Sequence, residues 1–244
     1  MSCFASFASG AIALVAVATA ARADRVAVPP EHVTMRAVAD TSAVEAGASF
    51  DVAVVFEVDH GWHIYWKNPG EAGLATTMKV TAPAGFTVGD VRYPGPVRFV
   101  SPGNIESYGY EGSAALFARV TAPAGWDGES VELAVKASWL ACAENCIPGK
   151  GKTTVTLAKG TPAAANAKLL APHRARLPRP LSELDGVAKK GNALLVPSAD
   201  AEFFPTTDVA GIATARIGKL TRVKLPSGAR GVLRAGAKYY HVNP

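Results

Sequence analysis

Asp51-Val52-Ala53-Val54-Val55-Phe56-Glu57-Val58-Asp59 is a run dominated by Val and Phe that ends at the turn signal Asp59-His60-Gly61, and such a run reads as a β-strand. Outward from it, residues 63–66 are aromatic, and residues 114–121, 131–140 and 153–157 carry further strand-like runs. Asn68-Pro69-Gly70, Pro83-Ala84-Gly85 and Pro123-Ala124-Gly125 separate them, each a recognised turn former. Many short strands at this spacing, with no long helical period, predict an all-β chain built on an antiparallel β-sandwich over residues 33–157.

The composition changes over residues 160–179, where Ala, Pro, Lys and Arg dominate. This stretch is expected to be a linker, with residues 163–170 forming a short helix before Pro172; the other reading is a long loop inside one larger sandwich. Beyond it, residues 193–196, 212–217, 220–225, 231–234 and 238–242 are again strand-like, bounded by Pro197-Ser198, Gly218-Lys219, Pro226-Ser227-Gly228 and Ala235-Gly236. They predict a second, smaller β-domain. The expected organisation is residues 24–160 as the sandwich, 161–185 as the linker and 186–244 as the small domain, which holds no cysteine. A chain of 244 residues accommodates this.

At the N-terminus, residues 9–21 form an uncharged run of mainly small and aliphatic residues, followed by Ala21-Arg22-Ala23. That is the pattern of a secretory signal peptide over residues 1–23 with an A-x-A cleavage site, although no Lys or Arg precedes the apolar run. The run falls short of the roughly 20 residues that a membrane-spanning helix needs, and no later segment has one long enough. The mature chain is therefore expected to be exported and to lack a transmembrane segment. A net charge of +5 and a pI near 9.2 make it mildly basic, but Lys and Arg are scattered along the sequence, with no nucleic-acid-binding motif. Nor is there a nucleophilic serine motif, a P-loop or a dinucleotide fingerprint, so no cofactor is expected.

Of three cysteines, Cys3 would leave with the signal, and Cys142 and Cys146 would remain. Four positions apart in an oxidising compartment, they are expected to bond to each other. They sit in Trp139-Leu140-Ala141-Cys142-Ala143-Glu144-Asn145-Cys146-Ile147-Pro148-Gly149, where the chain leaves a strand and Pro148-Gly149 is expected to turn it. So short a loop constrains the unfolded chain little, which favours thiol exchange over stapling. Glu144 would disfavour a thiolate by like charge, while His63 or a Lys would favour one. The spacing leaves a structural disulfide open. Cys142, Cys146 and His63 are also ligands suited to copper(I) or zinc, though no second Cys/His pair stands at zinc-finger spacing. Trp62, Tyr65 and Trp66 either line the site or pack in the core. His63 is an acid/base partner if it faces the cysteines. Lys67, Asn68, Pro69 and Gly70 read as a turn, and His32, His60, His173 and His241 as solvated.

Four blocks in order carry a resemblance: Gly61-Trp62-His63-Ile64-Tyr65-Trp66-Lys67-Asn68-Pro69-Gly70-Glu71-Ala72-Gly73-Leu74, then Tyr93-Pro94-Gly95-Pro96, then Glu106-Ser107-Tyr108-Gly109-Tyr110-Glu111, then the cysteine segment. Together they are similar to the N-terminal periplasmic domain of the DsbD/ScsB-type thiol:disulfide interchange proteins. Phe203-Phe204-Pro205 and Gly231-Val232-Leu233 resemble the ScsB-type extension. The resemblance implies an immunoglobulin-like sandwich whose cysteine pair, here Cys142 and Cys146, takes electrons from a membrane-embedded donor and passes them to periplasmic thioredoxin-like proteins. It further implies that His63 and Tyr65 line the pair and that residues 106–110 cap it. Ser107 stands where better-known members carry the capping aromatic, so Tyr108 or Tyr110 would do the shielding, with Glu106 beside them. The loop between the cysteines has the shorter, ScsB-like length. No transmembrane carrier or thioredoxin-like domain is expected within the chain, so the electron donor would be a separate protein. The leading expectation is a protein-disulfide reductase component; the alternative is a non-catalytic exported sandwich with a structural disulfide that binds a protein partner or copper.

Overall fold

The computed structural model describes residues 32–243; the expected signal peptide and Cys3 lie outside them. The 51–59 run falls in the Ser49–Val58 strand, which pairs antiparallel with Val33–Ala39 on one side and Ser113–Thr121 on the other. Thr87–Val88 completes this first sheet. Side chains alternate across a strand, yet here both faces are apolar, because both are covered. Val52, Val54 and Phe56 face the sandwich core, while Ala53 and Val55 join Ala115, Phe117 and Leu170 in a separate cluster on the outer face.

Leu170 belongs to the helix Ala167–Ala175, within the stretch read as a linker. The helix begins later than expected and continues through Pro172, although proline removes a helical hydrogen bond. Burial of Leu170 and His173 on the sheet holds it, and His173, expected to be solvated, is buried for that reason. Asn166 Nδ2 donates to the Ala39 carbonyl (2.8 Å). Beside the helix, the nearly buried Asp51 makes ion pairs with Arg92 (2.7 Å), Arg119 (2.7 Å) and Arg174 (3.0 Å), and Arg174 also reaches Asp40 (2.6 Å). Burial by itself raises the Asp51 pKa, but contact with Arg92 and the charges of Arg92, Arg119 and Arg174 outweigh it and hold the carboxyl below its ordinary value.

The second sheet runs in the order Ala43–Val44, Cys146–Lys159, Ser130–Cys142, His63–Gly70, Ile105–Glu111 and Val97–Ser101, with Thr77–Thr81 also paired to Ser130–Cys142. Its centre is the long hairpin of Ser130–Cys142 and Cys146–Lys159, in register down to Cys142 opposite Cys146. Val131, Leu133, Val135, Ala137, Trp139 and Ala141 point into the core and the residues between them point out. The turn expected at Pro148-Gly149 is instead made by residues 143–145, and Pro148 and Gly149 lie inside the strand. Gly149 is there because the Trp139 indole lies over it: an added Cβ would collide with Cε2 and Nε1 and sit 2.6 Å from Cζ2.

Two further four-stranded sheets follow, Arg179–Pro180, Lys238–Val242, Gly231–Ala235 and Glu202–Pro205 in one, and Ala188–Lys190, Ala193–Val196, Leu220–Lys224 and Ala213–Ile217 in the other. Phe203, Leu233 and Val242 join Leu194, Val196 and Val223 in a core of their own. The opposite face supplies Phe204, Val232 and Tyr239 to the main core of the sandwich. Asn68, read as part of a turn, lies within the His63–Gly70 strand next to an irregularity in register. Its buried amide donates to the Pro205 carbonyl (3.0 Å). Tyr239 Oη donates to the Pro96 carbonyl (3.1 Å), so the C-terminal sheets are seated on the sandwich by polar contacts as well as apolar ones.

Candidate functional site

Cys142 and Cys146 are disulfide-bonded, with their Cα atoms 4.2 Å apart, at the tip of the long hairpin. Ala143 N–H donates to the Asn145 carbonyl (3.0 Å) and closes the loop between them. The two cysteines are not equivalent: Cys142 is 2% exposed, whereas Cys146, the first residue of the returning strand, is exposed. An incoming thiolate attacks a disulfide at one sulfur and expels the other, and here only the Cys146 side is open.

Cys142 points away from the sandwich core. Its backbone partner across the sheet is His63, so the two side chains share that outer face, where directly opposite Cβ atoms stand about 4.5–5.5 Å apart. Tyr65, two residues on, lies on the same face and is buried, its phenol pKa raised by burial. Gly73, at positive φ, packs against the Tyr65 ring, leaving no room for a side chain. The His63 imidazole meets Tyr65 edge-on (5.1 Å) and stacks on Phe99 (4.5 Å between centroids). Burial lowers the His63 pKa, with the facing Glu111 carboxylate pulling the other way. The ring is therefore mainly neutral at neutral pH, able to take a proton from a thiol or return one.

The structure thus brings together Cys142, Cys146, His63 and Tyr65. Glu106, Tyr108 and Tyr110 lie on the other face of the Ile105–Glu111 strand, because Tyr65 pairs with Gly109 and Ile64 with Tyr110, and residues of opposite parity point oppositely. Tyr110 is fully buried and donates to the Pro94 carbonyl (2.8 Å). Tyr108 packs edge-on against Phe204 (5.4 Å). Glu106 pairs with Arg98, which with Glu202 and Arg234 forms a chain of charges towards the C-terminal sheets. Neither tyrosine stands over the disulfide.

Phe99 is the aromatic that the sequence reading missed. It lies in the Val97–Ser101 strand opposite Ser107 and so shares the face of His63 and Cys142. The signal was there: the strand-like Val97-Arg98-Phe99-Val100 followed by Pro102-Gly103-Asn104 before Ile105 is hairpin punctuation. Among the described residues, no group of three or more His, Cys, Asp or Glu side chains gathers into a cation cage, and no helix is long and apolar enough to cross a membrane.

A family model described as "Thiol:disulfide interchange protein DsbD, N-terminal" matches residues 31–158. Among solved structures, the N-terminal periplasmic domain of ScsB from Proteus mirabilis is similar with a TM-score of 0.61 at 18% identity, over 88% of this chain and 93% of that one. The reduced DsbD N-terminal domain of Neisseria meningitidis aligns at 16% identity and a TM-score of 0.33, over 59% of this chain and 98% of that one. No curated protein sequence matches. The similarity to the ScsB domain extends the shared fold beyond the sandwich into the C-terminal sheets.

Proposed function

The chain belongs to the family of DsbD N-terminal domains, and on that premise we propose that it is a periplasmic thiol:disulfide interchange protein working through Cys142 and Cys146. One observation carries the reading: a bonded cysteine pair at a hairpin tip with one sulfur buried and the other open. A partner thiolate attacks Cys146 Sγ, the Cys142–Cys146 bond breaks, and the electron pair leaves on Cys142, giving a mixed disulfide. A second partner thiol then attacks the mixed disulfide at the partner's sulfur, releasing the Cys146 thiolate and an oxidised partner; the domain is now the dithiol. Delivery to the next protein runs in reverse, with Cys146 attacking the acceptor's disulfide and Cys142 resolving the intermediate. His63, neutral and directly across from Cys142, holds or returns the Cys142 proton. Tyr65 and Phe99 position that ring.

The donor is a membrane-embedded protein and the acceptors are periplasmic thioredoxin-like proteins, as the family membership suggests. The leader pattern of residues 1–23 supports export to the periplasm. We assign the exchange chemistry to residues 24–160. Residues 186–244 act as a buttress, a role supported by Phe204, Val232 and Tyr239 lying in the sandwich core. The test is the reduction potential of the pair in a glutathione titration. An exchange pair equilibrates well above about −300 mV, and a value below that belongs to a structural disulfide and refutes the reading.

A further inference from the structure

Scattered in sequence, Lys79, Lys136, Lys150 and Lys152 come together on the second sheet. Lys136 pairs directly with Lys79 on one neighbouring strand and with Lys152 on the other, so three lysines stand abreast across three strands. Lys150 lies one step nearer the tip, opposite Ser138. All four are exposed, and among the described residues none makes an ion pair. They rim a groove of ≈ 500 Å³ with Thr77 and Ser138. Like charges directly opposite one another destabilise a sheet. A single lysine on the Thr77–Thr81 edge would be enough to deter edge pairing; a row of three is not needed for that.

The position of the row gives it meaning. Lys136, Ser138, Leu140 and Cys142 alternate onto one face of their strand, the face that carries the disulfide. Along the hairpin, Ser138, the half-buried Leu140 and its exposed partner Pro148 lie between lysines and disulfide, with Thr77 beside Ser138 on the neighbouring strand. Six residues of strand span about 20 Å, well within the footprint of one protein on another, which covers about 800 Å² per partner. We propose that this lysine row is the electrostatic half of the docking surface for the exchange partner: a protein whose reactive cysteine is flanked, about 15–20 Å away, by an acidic patch. The proposal rests on the exchange reading. Coplanarity with the disulfide favours a protein over a lipid surface, since a membrane lying on the lysines would cover Cys146 as well.

The probe is a peptide with one cysteine activated as a mixed disulfide with a nitrothiobenzoate, a flexible spacer of four Gly/Ser residues and an arm of four Glu. Eight extended residues reach about 26 Å. A second peptide carries four Gln instead. The reduced protein attacks each, and the released nitrothiobenzoate is followed by stopped flow. The expected result is a rate about 10-fold or more higher for the Glu arm at low salt, an advantage that disappears at about 0.5 M salt. It also disappears in the variant with Lys79, Lys136, Lys150 and Lys152 all changed to Gln, whose rate with the Gln arm stays at the wild-type value. Equal rates for the two arms overturn the docking proposal alone. If the variant at the same time loses co-sedimentation with phosphatidylglycerol-containing vesicles, the row belongs to a lipid surface. Failure of the folded wild type to react with either peptide overturns the exchange reading instead.

Discussion

Replacing Gly149 with Ala perturbs the stalk that presents the disulfide, and the structure gives the size of the effect. The added methyl would enter the Trp139 indole, and Trp139 is 4% exposed, packed edge-on against Phe56 at 5.5 Å between centroids. The ring has to tilt, because the other side is closed core. Overpacking of this kind costs about 1–3 kcal/mol, and disturbing the aromatic pair adds up to about 0.5–1.5 kcal/mol. Against this, Gly to Ala at a permitted backbone conformation gains about 0.4–1 kcal/mol from the unfolded chain. The net expectation is a loss of about 0.5–4 kcal/mol, with a centre of about 2 kcal/mol. For a chain of this size about 2 kcal/mol is a fall in Tm of about 4–8 °C, measured by circular dichroism with the disulfide intact. A second change, Trp139→Phe, makes room for the methyl, so the double variant loses less than the two single losses added together. An unchanged Tm for Gly149→Ala would refute the claim that Trp139, and not a turn, requires glycine there.

The cysteines should differ in reactivity: with Cys142→Ser the remaining Cys146 is alkylated by iodoacetamide at least about 10-fold faster than Cys142 is in the Cys146→Ser variant, and equal rates would contradict their different burial. Asp51→Asn leaves Arg92, Arg119 and Arg174 without their shared carboxylate, but these arginines are more than a third exposed and Arg174 keeps Asp40, so the expected cost in urea unfolding is about 1–3 kcal/mol. Because, against burial, its arginine partners hold the folded pKa of Asp51 below the ordinary 3.8, its contribution is complete above that pH and is lost as pH falls below it. Asp51→Asn should therefore flatten this acid limb of the stability curve. His63 has a folded pKa below 6.5, so stability falls as pH drops from 6.5 towards that lower value, and the proton-accepting ring persists through pH 6.5. His63→Gln should remove both that stability slope and the drop in exchange rate below pH 6.5; a wild-type rate profile in His63→Gln would exclude the proton role.

The β-sandwich and the Cys142–Cys146 bond were legible in the sequence, because Val-rich runs, Gly/Pro punctuation and cysteine spacing are local signals. Local reading was less reliable where one residue type serves two purposes. Pro148-Gly149 carries the composition of a turn, yet lies in a strand, since Gly149 answers to Trp139 across the hairpin. The same holds for Asn68, whose amide answers to Pro205, a residue far along the chain. Strand parity, fixed by the pairing of Tyr65 with Gly109, turned Tyr108 and Tyr110 away from the disulfide and brought Phe99 onto the His63 ring.

The sequence by itself determined that the chain is built of strands and which cysteines are bonded to each other, since those follow from residue type and spacing. Only the tertiary structure decided which sulfur is open, which aromatic meets His63, and that lysines from three strands form one row beside the disulfide. Those are outcomes of register, and register is set by every pairing and packing contact in the sheet at once.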